Sequence, residues 1–172
     1  MTNHKLKELK KLLDIYNIDG YIVPKNDAYF SEFALPDRLK TISNFTGSAG
    51  QAIILKKKNY LLVDGRYSIQ ADIESGKDYK ILEIPKFSHK NIYNEYKKKL
   101  KLGYDPQLFT NSYIKNNLKN YFKLLPINEN LIDKIYKSNE RSLVTPFYKL
   151  KDGITGESKA SKINRVINEL KK

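Results

Sequence analysis

Leu6, Leu9, Leu13 and Tyr16 recur at helical spacing, and "NIDG" closes that helix with turn chemistry. Tyr21 to Val23 is a short apolar strand ended by Pro24, and Lys25 to Asn44 then mixes aromatics, acids and Pro36 without a period. Gln51–Leu55 and Tyr60–Val63 are two apolar runs joined by lysines and Asn59, the pattern of a β-hairpin. Tyr67, Ile69, Ala71 and Ile73 alternate as a strand would. Gln70, Ala71 and Glu74 are nevertheless helix formers and Gly76 suits a helix end, so the balance predicts a helix.

A strand over Tyr79–Ile84 follows, then a helix carrying Ile92, Tyr96 and Leu100, and a strand over Lys101–Tyr104 stopped by "DP". Asn111 is placed to cap a helix carrying Ile114, Leu118 and Phe122; Phe122–Pro126 returns as a strand, and Leu131–Tyr136 is a short further element. Strands alternating with helices, plus one hairpin, predict an α/β layer fold: a mixed β-sheet flanked by helices. From Ser142 to Gly156 the chain turns polar, with Pro146 and Gly153, before Ile163, Val166, Ile167 and Leu170 mark one face of a last helix capped by Ser158. The expected division is a domain over 1–141, a linker over 142–157 and, over 158–172, a helix that opens a following domain.

Composition narrows the function classes. The 172 residues suffice for one sizeable core, and no window approaches the roughly 20 apolar residues of a membrane-spanning helix. The first residues lack the apolar centre of a secretory signal, and there is no cysteine for a disulfide or a thiolate metal site, which together predict a cytoplasmic protein. The formal charge of +13 invites a polyanion partner. Its lysines, however, fall at Lys56–Lys58 in the hairpin turn and at Lys97–Lys101 near a helix end, without a base-reading motif. Solvated lysine faces account for them, and no specific nucleic acid or membrane partner is expected.

The stretch "SNFTGSAGQAIIL" carries two glycines and hydroxyl side chains ahead of a β-branched run. A phosphate cradle needs backbone N–H groups at a helix N-terminus, whereas a strand follows Gly50 here. A tight bend anchored by Phe45 is the better reading. His4 and His89 are isolated in lysine-rich surroundings and are expected to be solvated, so no metal site is predicted. Asp27, Glu32, Asp37 and Asp64 lie near Arg38 and Arg66 in sequence, as an acid/base site or, more commonly, as structural ion pairs and caps.

Four stretches together resemble the N-terminal domain of the Xaa-Pro aminopeptidases (aminopeptidase P) of the creatinase/prolidase superfamily. They are "IDGYIVPKNDAYFSEF" followed by "PDRL", "SNFTGSAGQAII", "LVDGRYSIQA", and "LGYDP" with the later "NLIDKIY". The later "GESKASKINRV" is similar to the start of the family's second domain. The resemblance implies a creatinase N-terminal-like, ribonuclease H-like layer fold. It also implies that hydrolysis belongs to a C-terminal pita-bread domain holding two metal ions, typically manganese, through aspartates, a histidine and glutamates. That ligand set is not expected in this chain, which is therefore expected to bind no cofactor and to be no enzyme by itself.

The implied role is subsidiary: oligomer contacts and one wall of the active-site mouth. Its candidate residues are Asp27, Tyr29, Glu32, Arg38, Asp64 and Arg66, while Phe45, Gly47, Gly50 and Gly65 are expected to be structural. The implied partners are a pita-bread domain in cis or a second copy. Tyr29 stands where the family has a histidine, and Asn44 where it has a glycine, so proton transfer near neutral pH is lost at the first position. The alternatives are a stand-alone module binding peptide or protein, and a weak polyanion-binding protein.

Overall fold

The computed structural model describes residues 2–136 and 146–172, and the chain divides into two units, Met1–Arg141 and Ser142–Lys172. The first unit begins with helix α1 (Thr2–Ile15), whose Leu6, Leu9 and Leu13 are buried. Strand β1 (Gly20–Pro24) pairs antiparallel with β2 (Gly50–Leu55), which returns antiparallel along β3 (Asn59–Asp64). Helix α2 (Arg38–Ser43) lies between β1 and β2 in the chain. After β3 come α3 (Ser68–Ser75), β4 (Lys80–Ile84), α4 (His89–Tyr96) and β5 (Leu100–Tyr104). A single helical turn α5 (Asn111–Tyr113) widens into a π-helix over Ile114–Leu118, before β6 (Phe122–Pro126) and α6 (Leu131–Ile135) complete the unit.

Among the described residues six strands lie in the order β4-β3-β2-β1-β5-β6, and of these only β2 runs against the others. This is the mixed sheet that the alternating pattern predicts. Side chains of a strand alternate between faces, and the core divides accordingly. Tyr21, Val23, Ile54 and Leu61 pack with α1, α2, α3 and α6, while Ile22, Ile53, Leu62 and Leu102 pack with α4, α5 and the π-helical turn. Because both faces are covered, the central strands are apolar on both sides, which explains the continuous runs "GYIVP" and "AIIL".

Several sequence expectations need correction. Leu100 and Phe122 begin β5 and β6 instead of extending the helices before them. The cap of α5 is Thr110, whose Oγ1 accepts from Tyr113 N at 3.1 Å, and Asn111 is already helical. His89 is buried, with its Nε2–H donating to Gln51 Oε1 at 2.7 Å, and is not solvated. The alternation in Tyr67–Ile73 is indeed overridden by helix α3. There Ala71 is buried and both Ile69 and Ile73 face outward, so a period-two reading would have placed the wrong residues in the core.

The second unit contains a short turn α7 (Asp152–Thr155) and helix α8 (Lys159–Leu170), capped by Ser158 Oγ accepting from Ser161 N at 3.3 Å. Its apolar stripe of Ile163, Val166, Ile167 and Leu170 is exposed.

Candidate functional site

Register places the C-terminal ends of β1, β3 and β4 together with the start of β2: Pro24 faces Gln51, Gly50 faces Val63, and Asp64 faces Ile84. At this end the chain leaves the sheet in two segments, the loop after β1 and the "DGRY" turn after β3.

In the first segment Asp27 organises the loop. Its Oδ1 accepts from Tyr29 N at 2.8 Å and from Ser31 N at 2.9 Å, an Asx-type turn that forces Phe30 to a φ of 59°. A left-handed aromatic residue is unusual, and it persists here because the Asp27 bonds over-determine the turn. Tyr29 and Phe33 consequently project into solvent. At the loop's end Asp37 accepts from Lys25 Nζ in a largely buried pair and caps α2 through Lys40 N at 2.9 Å.

In the second segment Asp64 Oδ1 accepts from Arg66 N at 3.0 Å and from Arg66 Nε at 2.9 Å. These hydrogen bonds hold the Asp64 carboxyl below the usual carboxylate range. Asp64 in turn favours the Arg66 cation. Asp64 and Arg66 are thus brought together, whereas Glu32 is exposed on the loop after β1 and makes no hydrogen bond or ion pair with either among the described residues. Arg38 is not with them. Its Nε and Nη2 form a two-pronged bond to Asp133 of α6 at 2.9 and 2.8 Å, and burial works against its charge until Asp133 outweighs it.

The glycine stretch is held from below. Phe45 is fully buried, and a Cβ on Gly47 would stand 2.3 Å from its ring, so the ring occupies the space a side chain would need. No positive φ is involved at Gly47. Thr46 N and Oγ1 both donate to Glu74 of α3, at 2.7 and 2.8 Å, and Ser48 Oγ meets Tyr67 Oη at 2.9 Å. Gly50 and Gly65 lie against Phe45 and Glu83, where a Cβ would stand 3.1 and 3.3 Å from those side chains. The loop's hydroxyls are spent on protein partners and its end enters a strand, an arrangement unlike a phosphate cradle.

Beside these segments lies a pocket of about 500 Å³ that the sequence did not announce. Its walls include Phe30, Leu62, Ile84, Leu108, Phe109 and Tyr113, and among the described residues Asp64 is its one charged lining residue. Gln51 forms part of it and is pinned by His89, whose pKa burial pushes down to about 4, so the ring is neutral near pH 7. Among the described residues no group of three or more His, Cys, Asp or Glu is placed to hold a metal ion.

Residues 5–135 match the family model described as the creatinase/prolidase N-terminal domain. The chain belongs to this family. A probable Xaa-Pro aminopeptidase P of Coprinopsis cinerea is 30% identical over 186 residues, covering 99% of this chain and 29% of the relative. Xaa-Pro aminopeptidase 1 of Dictyostelium discoideum is 30% identical over 187 residues, covering 98% and 30%. The chain therefore spans under a third of the length of these relatives. Among solved structures, the X-prolyl aminopeptidase of Caenorhabditis elegans, described as a cytosolic enzyme with a di-nuclear active site, superposes with a TM-score of 0.81 at 23% identity, over 99% of this chain and 31% of that one. The N-terminal domain of a putative metallopeptidase from Corynebacterium diphtheriae gives a TM-score of 0.57 at 19% identity, over 73% and 95%. The creatinase N-terminal fold is thereby established for the first unit.

Proposed function

We propose that this chain is the non-catalytic N-terminal domain of an Xaa-Pro aminopeptidase, supplying one wall of the active-site mouth and surface for assembly. The observation that carries the reading is the match to Xaa-Pro aminopeptidases over essentially the whole chain, joined to the exposed Asp64–Arg66 pair at one end of the sheet. In this reading residues 1–141 are the domain, 142–157 a linker and 158–172 the opening of the next domain. The catalytic partner is a pita-bread domain in cis, which holds the metal ions; this chain uses no cofactor and works in the cytoplasm. Tyr29, Phe33, Ile69 and Ile73, all solvent-facing, supply the apolar surface for contact with that domain or with a second copy. Arg38 drops out of the mouth, because its charge is committed to Asp133. Asp27 acts by shaping the loop, since its carboxylate is spent on backbone N–H groups.

Two assays test this. The purified chain should release no N-terminal residue from an Xaa-Pro peptide, with or without manganese; metal-dependent release that stays with the chain through successive columns overturns the reading. Joined to the remainder of the Dictyostelium relative in place of its matching segment, the chain should support hydrolysis, and a chimera that folds without activity counts against it.

A further inference from the structure

We propose that the pocket at the end of the sheet binds an apolar side chain of an uncharged peptide segment, with Phe30 as its rim. The inference rests on the peptidase reading only for the choice of peptide as ligand class. The volume of about 500 Å³ is within the range of small-ligand sites and exceeds a single aromatic side chain. The walls are apolar: Leu62, Ile84, Leu108 and Phe109 would bury a hydrophobic group, at roughly 25 cal/mol per Å² removed from water. The polar groups that line it are few, and their remaining capacity defines the ligand.

Among the described residues Asp64 is the one charged lining residue, and its charge is already answered by Arg66, so neither a free anion nor a free cation is favoured over a neutral group. Asn26 spends its Nδ2 on Asp27 O at 2.9 Å and Leu108 O at 3.0 Å, leaving Oδ1 as an acceptor. Asp64 Oδ2 accepts nothing among the described residues. Thr110 Oγ1 accepts from Tyr113 N and keeps its O–H to donate. A lining that offers acceptors and a donor around an apolar hollow complements an amide backbone carrying a hydrophobic side chain.

The site is also built, in the sense that its polar base is fixed before any ligand arrives. Gln51, itself 7% exposed, has its carbonyl held by the buried His89. Phe109 and Tyr113 pack ring to ring at 5.8 Å. Across the pocket Phe30 is held in a strained backbone conformation by the Asp27 turn, which keeps its half-exposed ring at the rim. Preorganised walls of this kind lower the ordering cost of binding.

The test is a titration of the ¹⁵N-labelled 172-residue chain with blocked tripeptides, followed through amide shifts. N-acetyl-Ala-Phe-Ala-amide should give saturable shifts at Gly50, Gln51, Val63 and Thr110, and N-acetyl-Ala-Ala-Ala-amide should bind at least tenfold more weakly. Toluene supplies the ring without the backbone. If it matches the phenylalanine peptide in apparent Kd, the backbone contributes nothing and the peptide assignment fails. Ala49→Trp, which fills the pocket from its lining loop, should abolish the shifts; since that loop is tightly packed, Phe30→Ala is the second variant and should weaken binding severalfold. Non-saturating shifts scattered over the surface, or peptide binding indifferent to a folded variant, overturn the proposal. Neither readout involves hydrolysis, so failure here leaves the domain reading to its own assay.

Discussion

Arg38 and Arg66 each hold an aspartate at nearly the same distance, 2.8–2.9 Å, yet the two pairs do different things. The Arg38 side chain is 18% exposed and reaches from α2 to α6, across 95 residues of sequence. The Arg66 side chain is 74% exposed and bonds within its own turn. Beside the first pair lies a second polar link, where Asn130 Nδ2 donates to Asp105 Oδ2 at 2.9 Å while Asn130 Oδ1 accepts from Ile132 N at 3.0 Å. Tyr21, buried beneath, accepts from Leu131 N, and burial raises its pKa well above the usual phenol value. The motifs "PDRL", "GYDP" and "NLID" are therefore one staple joining α2, β5 and α6. The motif "DGRY" presents its charges to water. Equal bond lengths do not mean equal roles; burial and sequence separation separate them.

The largest effect expected concerns the end of the sheet that otherwise looks exposed. His89 sits there in the folded protein with its pKa pushed down by burial to about 4, against about 6.5 in an unfolded chain. Its stabilising contribution is fully present above pH 6.5, where both states are neutral. It is lost as pH falls from 6.5 towards 4, because the unfolded state takes up the proton first. The loss amounts to about 3 kcal/mol at its limit. Urea midpoints measured at pH 7 and pH 4.5 on the wild type and on His89→Asn isolate this from the carboxylates. The variant should be less stable at pH 7 and should lose markedly less on acidification; an identical loss in both would show that His89 is protonated without cost.

The staple supplies the next effect. Asp133→Ala strips Arg38 of its two-pronged partner in a partly buried site, and we expect a loss of about 2 kcal/mol by urea denaturation. Because Asp133 itself is 42% exposed, the value should fall below that of a fully buried pair. Adding Arg38→Met, which removes the stranded charge and keeps an apolar stem, should recover part of it. If Asp133→Ala alone is neutral, the contrast between the two arginines disappears.

These cases mark what the chain discloses before folding. The sheet was legible because its central strands are buried on both faces and read as unbroken apolar runs, and α1 was legible because only one face is apolar. The ends of α4 and α5 were not, since Leu100 and Phe122 keep the helical step while serving the next strand's core. Asp64 and Arg66 could be found, being two residues apart around Gly65. Arg38–Asp133 could not be separated from them by any local signal, because the partner lies 95 residues away. The pocket was illegible for the same reason: its walls come from six separate segments, and Phe30 reaches it only through a backbone conformation that an aromatic residue does not favour. His89 was misread because flanking lysines describe the helix's outer face, whereas position 89 is the inward first residue of α4.

The smallest effect on stability is expected at Arg66, and it gives the comparison its sharpest form. Arg66→Ala removes a cation whose guanidinium is solvated and whose carboxylate partner is also open to water, so neither side is left buried and unpaired. The backbone bond from Arg66 N to Asp64 Oδ1 survives the substitution, and the 3₁₀ turn Gly65–Tyr67 keeps its cap. What changes is the field around Asp64: its carboxylate loses the partner that holds its pKa down and shifts back towards the ordinary value. The melting transition should therefore match the wild type within error, while the carboxyl resonance of Asp64, followed by NMR against pH, should titrate at a higher pH. In the active chimera the same variant should depress hydrolysis of an Xaa-Pro peptide. Those two readouts separate a mouth residue from a structural one, because a staple residue would move the melting transition first. Should Arg66→Ala unfold the domain as Asp133→Ala weakens it, both arginines are structural and Asp64 and Arg66 no longer mark a site.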